Sequence, residues 1–251
     1  MLVLHARFLL LLGIVSIAHA AASHLESPSS ARQEQSPPCV QKGVRGAIMV
    51  LDASSRRSGP MGLVSRNLGP NGALTITNDD MDPTHWDSQA LQVMVHHRCD
   101  PTKPFTIQVL EPGVFGRAYD VGAVVGFDST NNFATNSQGT NYAWITQTGY
   151  VPRGPVQRVR NLWLNAASSE AEATIWTLQA TSGSLWADPL LVPSWVNTDN
   201  STANPSRISL VYSARGCGLA MTDNVEGFAS TEYACRDAQV VEFEFRPLDW
   251  E

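Results

Sequence analysis

Short apolar runs, many of them alternating with polar residues, recur along most of this 251-residue chain, and such runs predict β-strands. The clearest case is residues 173–212. Two apolar runs there fold back across Thr181-Ser182-Gly183, and a third run follows a loop rich in Asn, Asp and Ser. Trp176, Trp186 and Trp195, three of the seven tryptophans, lie in this stretch. Because aromatic side chains of this size dominate the core that they enter, we expect the fold to be organised around it.

Further strands are predicted on both sides of that stretch. They cover residues 46–51, 61–65, 73–77, 91–97, 105–110, 121–127, 142–147, 156–164, 217–222 and 240–245. The run 121–127 is apolar throughout, which is typical of a strand that is buried on both faces. Residues 166–172 predict one helical turn, the only helix expected in the mature chain.

The spacing of these strands predicts an all-β fold, specifically an antiparallel β-sandwich formed by a single domain. Strands and helices do not alternate, which excludes a parallel α/β fold. A β-trefoil is the alternative, because the strands can be grouped into three blocks that start near Val44, Phe105 and Ala173. These blocks are not similar enough in sequence to establish an internal repeat.

The first 20 residues predict a secretory signal peptide. Arg7 precedes an apolar run that is too short to cross a bilayer as a helix, and Ala18-His19-Ala20 has the small-x-small pattern of a cleavage site. Residues 21–38 are rich in Ser, Pro and Gln and predict a disordered tail. We therefore expect residues 39–251 to form a domain that is secreted, extracellular and without a membrane span.

Charge and cysteine usage are consistent with this compartment. The formal net charge of −6 and the scattered basic residues argue against a nucleic-acid partner. Four cysteines in an oxidising compartment predict two disulfides, and we favour Cys39–Cys99 and Cys217–Cys235 because each closes the shorter loop. Asn200 begins the single glycosylation sequon and lies in a polar loop, where a glycan can be accommodated.

One loop is a candidate metal site. Asp79, Asp80 and Asp82 place three carboxylates within four residues, and Ca²⁺ prefers such oxygen ligands. The spacing is not that of a calcium-binding helix–loop–helix, and a solvated acidic turn is the simpler interpretation. No other cofactor is predicted.

Histidines offer weaker candidates for metal or acid–base chemistry. His96 and His97 are adjacent on a predicted strand, so their side chains point to opposite faces and cannot line one site together. His85 is close enough in sequence to join one of them. Cleavage after Ala18 would leave His19 at the N-terminus, as a copper-binding histidine brace requires, but the flexible tail offers no scaffold for a second histidine.

Catalytic carboxylates have no clear pattern. Glu242 and Glu244 could be paired as in a glycosidase, yet on the alternating strand 240–245 they form the solvent face, opposite Val241, Phe243 and Phe245. No nucleophile elbow is present. A carbohydrate-active enzyme would therefore draw its carboxylates from Asp79, Asp80, Asp82, Asp188 and Glu242.

Aromatic residues beside polar loops suggest a carbohydrate contact. Most tryptophans are expected in the core, but one or two exposed rings would provide a platform on which a sugar can stack. The candidate ligand-binding residues are Tyr142, Trp144, Trp195, Asn197 and Asp199, with Trp163 as a further possible ring.

Several segments resemble a family of small secreted proteins of basidiomycete fungi. The shared motifs are Val121-Gly-Ala-Val-Val-Gly-Phe127 followed by Ser129-Thr130-Asn131, then Asn141-Tyr142, Ile175-Trp176 with Gly183, the Trp-Val-Asn-Thr-Asp run 195–199, and the closing strand 240–245. The resemblance covers about residues 46–247, and the cysteines, the strand 157–160 and the segment 187–193 depart from it. It implies a secreted all-β protein and no particular activity.

The sequence thus predicts a secreted β-domain that binds glycan or cell-wall material without catalysis. Two alternatives stay open. One is a carbohydrate-active enzyme, and the other is a structural or host-interaction protein with no small-molecule site.

Overall fold

The computed structural model describes residues 43–55, 59–77, 89–96, 100, 102–110, 119–133, 140–163, 168–181, 188–214, 218–231 and 237–248. All of them belong to one compact unit, Cys39–Glu251. The predicted signal peptide, the tail and all four cysteines lie outside the described residues. Within them, no helix is both long and apolar enough to cross a membrane.

Fourteen β-strands and one α-helix make up the described fold. The strands are β1 Gly43–Asp52, β2 Pro60–Leu68, β3 Leu74–Thr77, β4 Val93–His96, β5 Ile107–Val109, β6 Asp120–Val125, β7 Tyr142–Thr148, β8 Gln157–Val159, β9 Ser169–Glu172, β10 Trp176–Gln179, β11 Leu190–Pro193, β12 Ser209–Ser213, β13 Gly218–Thr222 and β14 Gln239–Pro247. The helix, α1, covers Val225–Ser230, and a 3₁₀ turn covers Pro205–Arg207.

The sheet closes into an antiparallel barrel of eight strands. Around the barrel, β1 is followed by β4, β5, β6, β7, β13, β12 and β14, and β14 pairs again with β1. This closing ladder is long, running from Gly46 opposite Pro247 to Asp52 opposite Val241. The all-β prediction is confirmed, but the sheet is a closed barrel rather than the predicted sandwich or its trefoil alternative.

Six further strands branch from the barrel in pairs. β2 and β3 extend from β1, β8 and β9 from β6, and β10 and β11 from β14. A bridge between Phe105 and Trp176 joins β10 to the segment just before β5. The β3, β7 and β13 strands also contact one another. The hairpin predicted across Thr181-Ser182-Gly183 is the β10–β11 pair, and its turn lies outside the described residues except for Thr181.

Trp176 lies in the largest hydrophobic cluster and is completely buried. Its ring stacks on Phe243 with centroids 5.8 Å apart, and its Nε1–H donates to the carbonyl of Val121 at 2.7 Å. Val241 and Phe245 are buried on the same face of β14 as Phe243, as the alternation predicts. Trp176 therefore links the 173–212 stretch to β6 through its hydrogen bond and to β14 through its ring contact.

Two local predictions are wrong. The segment predicted as a helical turn, 166–172, contains β9, because Ala171 and Glu172 pair with β6 and are buried there. The real helix, α1, was not predicted, although Asn224 caps its N-terminus by accepting the Gly227 N–H and Glu226 lies in its first turn.

The solvent face predicted for Glu244 is also wrong. This side chain is buried and forms an ion pair with Arg246, whose other terminal nitrogen contacts Asp188 at 2.6 Å. Its neighbours across the sheet are Met49 on β1 and Leu190 on β11, and both are buried.

Candidate functional site

A cleft of about 460 Å³ opens beside β10 and is the best candidate for a binding site. We call it the Arg153 cleft, because Arg153 is the only charged residue among the described residues that line it. Four of the other lining residues carry hydroxyl groups, and the remaining three are apolar. The lining consists of Thr102, Pro104, Arg153, Thr177, Leu178, Ser194, Thr202 and Pro205.

Arg153 is held in place by the connection between β7 and β8. Val151, two residues before it, is fully buried, and its carbonyl accepts the Thr174 hydroxyl at 2.6 Å. The sequence Pro152-Arg153-Gly154-Pro155 then turns, with Gly154 at φ 154°. A buried anchor followed by a proline-flanked turn restricts the backbone from which the arginine projects.

The guanidinium of Arg153 is fixed by three hydrogen bonds. Nη1 donates to the carbonyls of Thr174 at 3.3 Å and Ser194 at 3.0 Å, and Nη2 donates to the hydroxyl of Ser194 at 2.8 Å. Burial lowers the pKa of Arg153, and the negative charge of Glu172 opposes that shift. An arginine keeps its proton at any physiological pH, so the cleft carries a positive charge.

Glu172 lies behind this arginine and is almost completely buried. Its carboxylate oxygens are 3.1 and 3.2 Å from the backbone nitrogen of Val196, whose N–H they accept. Burial raises the pKa of Glu172 to about 8, although the Val196 N–H and the Arg153 charge both lower it. Burial therefore shifts Glu172 towards its protonated form, in which it neutralises less of the charge of Arg153.

A second buried carboxyl group, Asp120, is on β6. Burial raises its pKa to about 6, and the charge of His96 opposes the shift. His96, one of the predicted metal or acid–base candidates, has its Nε2 3.0 Å from Gln108 Oε1. In the part of the chain that the structure describes, no group of three or more His, Cys, Asp or Glu side chains could hold a metal ion.

The aromatic rings predicted to bind ligand are in the core. Tyr142 and Trp144 pack together against Phe228, and Trp195 packs against Phe133. Tyr142, Trp144 and Trp195 are each no more than 2% exposed, so their ring faces do not reach the surface. Trp163 is also buried. The large exposed rings of the described residues are instead those of Phe127 and Tyr150, at 45% and 67%.

The two predicted polar ligands divide into one internal residue, Asn197, and one surface residue, Asp199. Asn197 is 4% exposed, and its amide hydrogen-bonds to Phe133 and Ser201. Asp199 is exposed and accepts the N–H of Ser201 at 2.9 Å. Asn200, the predicted glycosylation site, is exposed in a tight turn at φ 65°. Its sequon ends at Thr202, which lines the Arg153 cleft.

The predicted carboxylates that the structure describes, Asp188 and Glu242, do not line the cleft. Asp79, Asp80 and Asp82, together with His85 and His97, lie outside the described residues. Asp188 is paired with Arg246, and Glu242 lies beside a separate groove of about 210 Å³ between β11, β12 and β14.

Comparison with protein-family models, with curated proteins and with solved structures gives no match. The assignment of a site therefore rests on the geometry of this chain.

The segments that carry the sequence resemblance contact one another in the structure. Besides the bond from Trp176 to Val121, the Trp195 Nε1–H donates to the Asn131 carbonyl at 3.0 Å. The side chain of Asn132 accepts both the N–H and the hydroxyl of Thr198 at 2.8 Å. These motifs join the β6–β7 connection to the 195–202 loop, which gives them a structural role.

Sequence reasoning missed Arg153, which lines the cleft, and the buried Glu172, which interacts electrostatically with it. Arg153 stands in a proline-rich turn, and nothing in its neighbours indicates that Ser194, 41 positions later, fixes it. Glu172 was read as part of a polar helical turn, whereas its burial depends on the pairing of β9 with β6. An arginine between two prolines and a strand-like Ser-Glu-Ala-Glu-Ala run at 169–173 were the only local signals available.

Proposed function

We propose that this chain is an extracellular, non-catalytic glycan-binding domain and that the Arg153 cleft is its binding site. The observation that supports this most directly is the lining of the cleft, in which one fixed guanidinium lies among four hydroxyl groups. Hydroxyl groups both donate and accept hydrogen bonds, so they match the hydroxyls of a sugar. A volume of about 460 Å³ is within the range of small-molecule sites, and Leu178 and the two prolines supply apolar contact.

Two features favour binding over catalysis. A general acid or base must come within hydrogen-bond reach of the substrate, and Glu172 is not among the residues that line the cleft. Asp188 and Glu242, the described members of the predicted catalytic set, lie elsewhere. A carbohydrate-active enzyme is therefore the weaker alternative.

An extracellular location is supported by the leader-like residues 1–20 and by the exposed sequon at Asn200. Because that sequon includes Thr202 of the cleft wall, a glycan on Asn200 would lie near the site. Binding should therefore be measured on the secreted protein before and after enzymatic removal of its glycan.

The test is a glycan array probed with the mature secreted protein and with two arginine variants. Arg153→Gln removes the cationic group of the cleft, and Arg158→Gln removes an exposed cation of β8 as a matched control. We expect selective binding by the wild type and by Arg158→Gln, with the signal reduced at least about tenfold in Arg153→Gln. Absence of binding by the folded wild type, or equal binding by Arg153→Gln, would refute the proposal. It would favour an interaction protein without such a site.

A further inference from the structure

We infer that the Arg153 cleft selects a ligand that bears a carboxylate, which Arg153 holds through its Nε–H and one Nη2–H. This deepens the proposed function and rests on it, because on a glycan the group would be that of a uronic acid residue.

Counting donors identifies the free edge of the guanidinium. An arginine side chain has five N–H donors. Both donors of Nη1 and one donor of Nη2 are used on Thr174 and Ser194. Within the described residues, the Nε–H and the second Nη2–H have no acceptor. These two donors lie parallel along one edge of the planar group, which is the arrangement that binds both oxygens of a carboxylate.

The free edge of the Arg153 guanidinium is already oriented before a ligand binds. The pair of bonds to Ser194, together with the bond to Thr174, fixes the plane of the guanidinium before any ligand arrives. Ser194 is itself 4% exposed, and its backbone N–H donates to the Ile175 carbonyl at 2.8 Å. A donor pair that is already oriented loses little conformational freedom on binding.

The charge of the cleft favours a single negative group. The other residues that line it are uncharged, and the chain as a whole has a net charge of −6. The cleft is therefore a local positive site on an acidic protein. The raised pKa of Glu172 supports this, because a carboxyl group that is shifted towards its protonated form neutralises the arginine less. The planar two-donor edge matches the two coplanar oxygens of a carboxylate, and the sulfated probe in the experiment below tests whether a tetrahedral anion binds more tightly.

The experiment is calorimetric titration of the secreted protein with five probes. They are tri-galacturonate, its methyl ester, neutral galactotriose, a sulfated galactotriose and succinate. We expect tri-galacturonate to bind about ten- to a hundredfold more tightly than its methyl ester, because only the acid can accept both charged hydrogen bonds.

The variant Arg153→Lys distinguishes the effect of the two parallel N–H donors from the effect of the positive charge. A lysine keeps the positive charge but cannot offer two parallel donors, so affinity for tri-galacturonate should fall about tenfold while affinity for the methyl ester stays the same. Arg158→Lys is the control and should bind both probes as the wild type does. An unchanged melting temperature and unchanged methyl-ester binding would show that the Arg153→Lys cleft is intact.

The probes distinguish failure of this inference from failure of the proposed function. If the ester or the neutral trisaccharide binds as tightly as the acid, the carboxylate inference is overturned and glycan binding stands. Tighter binding of the sulfated sugar also overturns the inference alone. If succinate matches tri-galacturonate, carboxylate recognition stands and glycan binding fails. If no probe binds, the carboxylate inference is overturned, and the glycan array decides the proposed function separately.

Discussion

Asn197 and Phe133, 64 positions apart in the chain, are joined by two hydrogen bonds between one side-chain amide and one backbone unit. The Phe133 N–H donates to Asn197 Oδ1 at 2.8 Å, and Asn197 Nδ2 donates to the Phe133 carbonyl at 3.3 Å. Both residues are buried. The Asn197 amide thus forms the two hydrogen bonds that the backbone of a neighbouring strand would otherwise form with Phe133. It links the segment between β6 and β7 to the loop that follows β11.

Replacing Asn197 with leucine should destabilise the protein by about 2–4 kcal/mol, because the Phe133 N–H and carbonyl lose their partner while they stay buried. Urea unfolding followed by tryptophan fluorescence would measure this free energy. The control is Asn204→Ala, which removes an exposed asparagine that caps the 3₁₀ turn and should cost about 1 kcal/mol or less. Equal costs for the two variants would contradict the prediction.

Two buried tryptophans differ in whether their N–H has a partner. Trp176 donates to Val121, whereas Trp163 Nε1 is buried and finds no acceptor among the described residues. We expect Trp176→Phe to be more destabilising than Trp163→Phe by at least about 1 kcal/mol, because only the former leaves a buried carbonyl without its donor. Thermal unfolding of both variants tests this directly, and a reversed order would disprove it.

Position 72 requires a glycine, because its backbone is in the left-handed region and the Leu162 carbonyl lies close to it. Gly72 has φ 80°, and a Cβ at this position would lie 2.0 Å from the Leu162 carbonyl oxygen. Gly59 has a similar φ of 86°, but a Cβ there would meet nothing within 4 Å. Gly59→Ala should therefore cost only about 1–2 kcal/mol for the left-handed conformation, and Gly72→Ala should cost clearly more. Chemical denaturation distinguishes them, and equal losses would mean that the Leu162 contact relaxes freely.

Glu172 should make stability decrease as the pH rises. Its pKa is about 8 in the folded protein and ordinarily 4.5, so between these values the folded state holds a proton that the unfolded state has released. The contribution is complete below about pH 4.5 and is lost as the pH rises towards 8, with a total on the order of a few kcal/mol.

The variant Glu172→Gln keeps an acceptor for the Val196 N–H and cannot ionise, so its free energy of unfolding should change less between pH 5 and pH 8 than that of the wild type. Glu170→Gln, on the exposed side of the same strand, is the control and should behave as the wild type does. Urea unfolding at several pH values gives the comparison. Parallel stability curves for Glu172→Gln and the wild type would show that Glu172 is not responsible.

Local alternation was sufficient to locate most strands, because a strand with one face in the core repeats every two residues. The predicted runs 46–51, 73–77 and 142–147 fall within or next to β1, β3 and β7. Closure of the sheet was not predictable in this way. It depends on the ladder between β1 and β14, the first and last strands of the described fold. A local sequence pattern does not indicate which two strands pair.

The candidate site was less predictable than the fold. The expectation that Tyr142, Trp144 and Trp195 bind ligand used residue type alone, and residue type does not distinguish a core aromatic from an exposed one. Arg153 becomes notable only through Ser194 and Thr174, which the fold brings to it from other elements. Such long-range contacts are a property of the topology, and short motifs do not encode them.

The ladder between β1 and β14 has a consequence for biosynthesis. Among the described strands β1 is synthesised first, and β14, which forms its longest ladder, is synthesised after all the others. Until then β1 presents an unsatisfied edge to its surroundings, and such edges recruit other extended chains. Closure of the barrel therefore waits for the synthesis of β14, and shielding the free edge of β1 until then would limit self-association.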